Sequence, residues 1–176
     1  MLKELKSFLK SKDIVDAFIF GSAIKGKTMP NDVDICILFR EKIDLNLIRK
    51  INDEFKDMHV SSLTVDNFFT KPHALARTLL FEGKSLISGK SLSEIYGLSS
   101  FALYTYDISK MKSTDKVRFV YLLKGRKDEE GIVKNFGGNF ISNATFMIPP
   151  SKDKEMQEIM EKWKIKYERK QAMLIG

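Results

Sequence analysis

A chain of 176 residues and 20.2 kDa holds one full domain, or one compact domain with a small appendage. With 43% hydrophobic and 30% charged residues, ten Gly, four Pro and a single cysteine (Cys36), it reads as globular. That composition excludes collagen-like and disulfide-scaffold proteins, and with only His59 and His73 beside Cys36 no structural zinc site is expected. The net charge of +7 favours polyanionic partners; it is +2 over residues 1–97 and +5 over residues 98–176, though a Lys/Glu-rich solvated surface accounts for it equally.

Leu5, Phe8 and Leu9 fall on one face with Leu2, so residues 2–11 are expected to form an amphipathic helix. Ile14–Phe20 (IVDAFIF) reads as a buried strand ended by Gly21-Ser22, and Lys25–Asn31 carries turn chemistry. Asp32–Phe39 (DVDICILF) follows as a strand apolar on both faces, hence central in a sheet covered by helices. Asp44 is placed to cap a helix through Phe55, with Leu47, Ile48, Ile51 and Phe55 inward. Val60–Val65 is a third strand, and residues 67–81 and 92–97 look helical, interrupted near Pro72 and at Gly83 and Gly89.

Beyond residue 97 the chain changes character. Phe101–Ile108 alternates like a strand, and Lys116–Lys124 is a helix with Ser113 or Thr114 as cap and Gly125 as stop. Gly137-Gly138 separates two apolar runs, 131–136 and 140–148, both read as strands. A helix carrying Met156, Ile159, Met160 and Trp163 precedes a last strand at 167–175. The expected class is α/β (α+β): a small mixed β-sheet flanked by helices over residues 1–97, then a small C-terminal α+β region over 98–176.

The informative stretch is Phe20-Gly21-Ser22, nine residues, then Asp32-Val33-Asp34. Alternation on a strand sets Asp32 and Asp34 on one face about 7 Å apart. Two such carboxylates repel unless a cation lies between them, and hard oxygens so presented suit Mg²⁺ held jointly with substrate phosphates. Gly21 allows close approach of a phosphate to the backbone and Ser22 adds a hydroxyl donor. Lys25 and Lys27 follow within reach of the same anion, and are equally well read as ordinary loop lysines.

This segment resembles the nucleotidyltransferase signature of the DNA polymerase β superfamily: hydrophobic, Gly, Gly/Ser, a spacer, then acid–hydrophobic–acid. The stretch around Ala74–Gly97 is similar to the helical tail of the smaller members. The resemblance implies the nucleotidyltransferase fold, an NTP substrate (ATP foremost), Mg²⁺ or Mn²⁺, and transfer of a nucleoside monophosphate to a hydroxyl with loss of pyrophosphate. Gly21 and Ser22 match the triphosphate-contacting pair, and Asp32 and Asp34 the metal carboxylates. The family's third carboxylate falls at Ser61, which cannot serve as base or ligand at comparable strength; Asp66 or Asp57 is the substitute if the register differs. A protein that binds nucleotide or nucleic acid without transfer, and an antitoxin-like enzyme modifying a partner toxin, are the alternatives.

Lys116, Arg118, Lys124 and Arg126 surround Phe119 and Tyr121, a mixture suited to a nucleic-acid acceptor and equally to an amphipathic helix with core aromatics. Cys36 is expected to be a core thiol, His59 a surface residue with an approach to the site as its alternative, His73 structural or exposed, and Trp163 and Tyr167 core. No apolar run approaches the ~20 residues that cross a bilayer. The first residues interleave acids and bases with Leu, unlike a secretion signal, so a cytoplasmic protein without membrane association is expected.

Overall fold

Two runs of β-branched and aromatic residues form the antiparallel pair β1 (Ile14–Phe20) and β2 (Val33–Phe39) at the centre of the first unit. They belong to a computed structural model that describes residues 2–21, 33–70, 74–127 and 129–175, with only the backbone of Leu2 and Lys3. Two compact units, Met1–Leu98 and Ser99–Gly176, divide the chain.

β2 is buried along almost its whole length because helices cover both faces. On one face Val33, Ile35, Ile37 and Phe39 pack with Leu5 of α1 (Leu2–Phe8), Leu9, and Ile51 of α2 (Leu45–Glu54). On the other, Cys36 and Leu38 pack with Phe68 of α3 (Val65–Phe69) and with Ala76 and Leu79 of α4 (Ala74–Glu82). Asp44 caps α2 as expected, its carboxylate accepting the N–H groups of Asn46 and Leu47, an arrangement worth about 1 kcal/mol. Parallel to β2 runs β3 (Met58–Thr64), and the short β4 (Lys84–Ser85) pairs antiparallel with β1. The mixed sheet thus has the order β3-β2-β1-β4.

Three details depart from the sequence expectations. β3 starts two residues earlier than Val60 and stops at Thr64, because the Thr64 hydroxyl accepts the Asn67 N–H and turns Val65 into a helix. The helical stretch expected over 67–81 with an interruption near Pro72 is interrupted there, between α3 and α4, but starts two residues earlier, at Val65; Lys71, Pro72 and His73 lie outside the described residues. The third is α5 (Leu92–Ile95), a single turn held by a capping box in which Ser91 and Glu94 satisfy each other's backbone N–H groups.

The second unit has the sheet order β10-β5-β9-β8, from β5 (Leu98–Asp107), β8 (Asn139–Ser142), β9 (Thr145–Ile148) and β10 (Lys166–Ile175). The run 140–148, expected as one apolar stretch, is the hairpin β8–β9. The run 131–136, read as a strand, holds a helical turn instead, α7 (Ile132–Asn135). Helix α6 (Ser113–Lys124) starts earlier than expected, so Ser113 is its first residue and no side chain caps it. It ends at Gly125, whose φ of 87° is the left-handed conformation Gly adopts without penalty. A two-stranded ribbon, β6 (Gly125–Arg126) with β7 (Glu129–Glu130), follows. An aromatic chain joins α8 (Asp153–Lys162) and α6 to the sheet: Trp163 to Phe119 at 5.5 Å, Phe119 to Tyr106 at 5.7 Å, and Phe146 stacked on Tyr104 at 5.2 Å.

Candidate active site

The antiparallel register of β1 and β2 sets Phe20 opposite Asp34, which brings the end of one strand beside the start of the other. Gly21, the next residue, has φ 71°, and a Cβ on it would stand 2.5 Å from Asp34 Oδ2. Only glycine allows this approach. Changing Gly21 to Ala therefore adds left-handed strain, about 1–3 kcal/mol, to a contact with the carboxylate. We expect a Tm several degrees lower, read by thermal melting.

Asp34 shares its face with Cys36 and Leu38, the face covered by α3 and α4, and its side chain is 33% exposed. Directly across the parallel ladder is His59, with Nδ1 3.7 Å from Asp34 Oδ1. The alternative reading of His59, an approach to the site, is the one the structure supports, through a cross-strand pairing that the sequence does not reveal. Ser61 is opposite Cys36, two residues beyond His59 and on the same face. Burial pushes the Cys36 thiol up to about 12, so it is an inert core group, as expected.

The structure separates the two substitute acids. β3 runs parallel to β2, so Thr64 lies about 17 Å along the strand from His59. Asp66 is further still, in the first turn of α3, where its carboxylate accepts the Thr70 hydroxyl at 2.9 Å. Asp66 is thus carried to the opposite end of the strand pair from Asp34, a correction to its expected catalytic place. Asp57 is at the near end: its carbonyl accepts the Val33 N–H at 3.0 Å. Ser22, Lys25, Lys27 and Asp32 lie outside the described residues.

Among the described residues no three His, Cys, Asp or Glu groups cluster closely enough to hold a metal ion. The carboxylate of Asp34, one-third exposed, fits a Mg²⁺ that takes one or two carboxylates and completes its shell with water and phosphate oxygens. It does not suit a closed protein cage of the zinc type.

In the second unit, the cations expected to hold an acceptor lie on or just after α6. Arg118 approaches Asp115 at 4.0 Å, Lys124 donates to Asn143 and lies 5.0 Å over the Phe140 ring, and Arg126 lies 5.3 Å from the Tyr121 ring. Lys116 is half-buried, and Glu129 faces Arg126 across the ribbon.

The family model for polymerase beta nucleotidyltransferases matches residues 3–91, half of the chain, and spans β1, Gly21, Asp34 and β3. The chain belongs to the polymerase beta nucleotidyltransferase family. Similar solved structures include a toxin–antitoxin with AMP-PNP, at 19% identity over 48% of this chain and 71% of that one, with a TM-score of 0.37. A mutant of the toxin–antitoxin MntA-HpeT shares 18% identity over 49% and 72% of the two chains, with a TM-score of 0.38. A tri-AMPylated Shewanella oneidensis HEPN toxin in complex with MNT antitoxin gives 18% identity over 48% and 67%, with a TM-score of 0.34. No curated protein matches the sequence significantly. Among the described residues no helix is long and apolar enough to cross a membrane.

Proposed function

We propose that this family member is an active, metal-dependent enzyme that moves a nucleoside monophosphate from an NTP, ATP foremost, to a hydroxyl acceptor and releases pyrophosphate. The close approach of Gly21 to Asp34 carries this reading, because it sets a phosphate-tolerant backbone turn beside an oxygen ligand for a cation. In it, Gly21 and Ser22 bind the triphosphate, with Lys25 and Lys27 as supporting cations, and Asp32 and Asp34 hold Mg²⁺ or Mn²⁺. Such an ion, when bound, neutralises the phosphates and offsets charge on the leaving pyrophosphate. The acceptor oxygen forms a bond to the α-phosphorus as the bond to the bridging oxygen breaks, and its proton passes to a base. Asp57, at the near end of β3, is the better candidate for that base than Asp66.

For the acceptor, Lys116, Arg118, Lys124 and Arg126 of the second unit are the cations suited to a nucleic-acid backbone. Their present partners are exposed and individually weak, so exchanging them for phosphate costs little. Incubation of total extract with Mg²⁺ and each NTP labelled at the α-phosphate tests the reading. One macromolecule should take up α-label and no γ-label; transfer of γ-label would identify a kinase instead. RNA, protein and small-molecule fractions then distinguish the acceptor classes.

Ser61, on the site face where the family carries an acid, favours a second reading: Mg·NTP binding without transfer. The two readings give different mutant patterns. For an enzyme, Asp57→Asn should cut transfer by about a hundredfold or more while NTP still binds, and Asp66→Asn should leave both unchanged. For a binding protein, the wild type turns over barely and Ser61→Asp restores transfer.

A further inference from the structure

The β1–β4 ladder pairs Phe18 with Ser85 and Ile19 with Lys84. Continuing that antiparallel register by two residues sets Glu82, the last residue of α4, opposite Gly21. The contact is made: the Gly21 N–H donates to Glu82 Oε1 at 3.1 Å, across 61 residues of sequence. Gly83 turns the chain directly after Glu82, its N–H donating to the Leu79 carbonyl at 2.8 Å. The Ser85 side chain is buried, donates to Asp16 and accepts the N–H groups of Ile87 and Ser88. Glu82 is therefore delivered to Gly21 by a fixed ladder rather than by a free surface side chain. The Gly21 N–H is held by the Glu82 carboxylate, while Asp34 leaves no room for a side chain on its α-carbon.

We propose that Glu82 is a positioning residue for the nucleotide site. Its carboxylate oxygen accepts the hydrogen bond that fixes Gly21 in the left-handed conformation, and with it the place where the backbone meets the triphosphate. Glu82 touches neither substrate nor metal in this role. The inference rests on the nucleotidyltransferase reading above and adds a residue from outside the strand pair that forms the site.

The acceptor oxygen and the negative charge of Glu82 have opposite consequences, which makes the role separable. A carboxylate near a triphosphate repels it, whereas the hydrogen bond to Gly21 prepares the site for it. Glu82→Gln keeps an oxygen acceptor and removes the charge; Glu82→Ala removes both. The expected result, from binding of a non-hydrolysable Mg·NTP analogue to the full chain, is an affinity in Glu82→Gln equal to or above wild type. Glu82→Ala should lose about tenfold, the scale of one hydrogen bond to a charged group. In transfer assays the loss should appear in KM for NTP, with kcat nearly unchanged. If Glu82→Ala melts below the assay temperature, Glu82→Asp, one methylene shorter, should show the same loss of affinity. Equal affinities in wild type, Glu82→Gln and the folded truncated variant would overturn the proposal, and tighter binding in Glu82→Ala would overturn it in favour of Glu82 as an obstruction. Wild-type protein without affinity for Mg·NTP would instead remove the nucleotidyltransferase reading itself, and this inference with it.

Discussion

Replacing Asp32 and Asp34 together by Asn should abolish Mg·NTP binding while the protein stays folded. At an effective dielectric of about 20, two unit charges 4 Å apart interact by about 4 kcal/mol, so removing both carboxylates should weaken the complex by about a hundredfold or more. The fold has little reason to suffer. Asp34 is at the start of β2, a third exposed, and its contact with the solvent-facing His59 is a long surface pair. Removing two neighbouring acids also relieves repulsion in the metal-free protein, so its Tm should stay level or rise slightly. Titration of a fluorescent NTP analogue with and without Mg²⁺, beside a thermal melt, checks both halves. Unchanged Mg²⁺-dependent affinity in the double variant would place the nucleotide elsewhere.

That experiment concerns residues that were legible in one dimension. Gly21 and Asp34 belong to a local motif, and the strands that carry them announce themselves by composition. β1 spans Ile14–Phe20 as expected, and Asp44 marks the start of α2 by a side chain whose cap is made. The rest depended on contacts between segments far apart. Glu82 meets Gly21 only because β4, two residues long, pairs with β1, and a strand that short has no periodicity to read. His59 comes beside Asp34 through a parallel register that no turn specifies. Competition between local signals decided other boundaries: Val65 has the composition of a strand, but the Thr64 cap draws it into α3 and carries Asp66 away from the site. In the second unit, hydrophobicity alone did not separate the helical turn of α7 from the hairpin that follows Gly137-Gly138.

The largest effect on stability is expected at Asp153, the first residue of α8 and 4% exposed. Its carboxylate accepts the Tyr104 hydroxyl at 2.6 Å and the Arg169 guanidinium through two N–H groups, joining α8, β5 and β10. Asp153→Ala removes the carboxylate that pairs with the half-buried arginine and leaves the buried phenol only the backbone carbonyl of residue 153, 3.1 Å from its oxygen, a loss of about 3–5 kcal/mol for a broken buried pair. For a unit of this size that corresponds to a fall in Tm of more than about 10 °C. Asp153→Asn, which keeps an acceptor for Tyr104, should fall in between. Trp163, the one tryptophan of the chain, packs on Phe119 in this unit, so its fluorescence follows the second unit's unfolding specifically. The same network gives an alkaline signature. Burial, then the bond to Asp153, hold the Tyr104 phenol well above its ordinary value. A pKa raised in the folded state means that the unfolded chain loses this proton first. The contribution is complete below the unfolded value near pH 10 and is lost as pH rises beyond it. Tyr106 and Tyr167 are also raised, mainly by burial, so Tyr104→Phe should flatten the decline in stability above pH 10 without removing it. Its own cost at neutral pH should be about 1 kcal/mol, one buried hydrogen bond. An Asp153→Ala protein that melts with the wild type would show that the pair contributes nothing net, and an unchanged alkaline slope in Tyr104→Phe would assign the titration to another group.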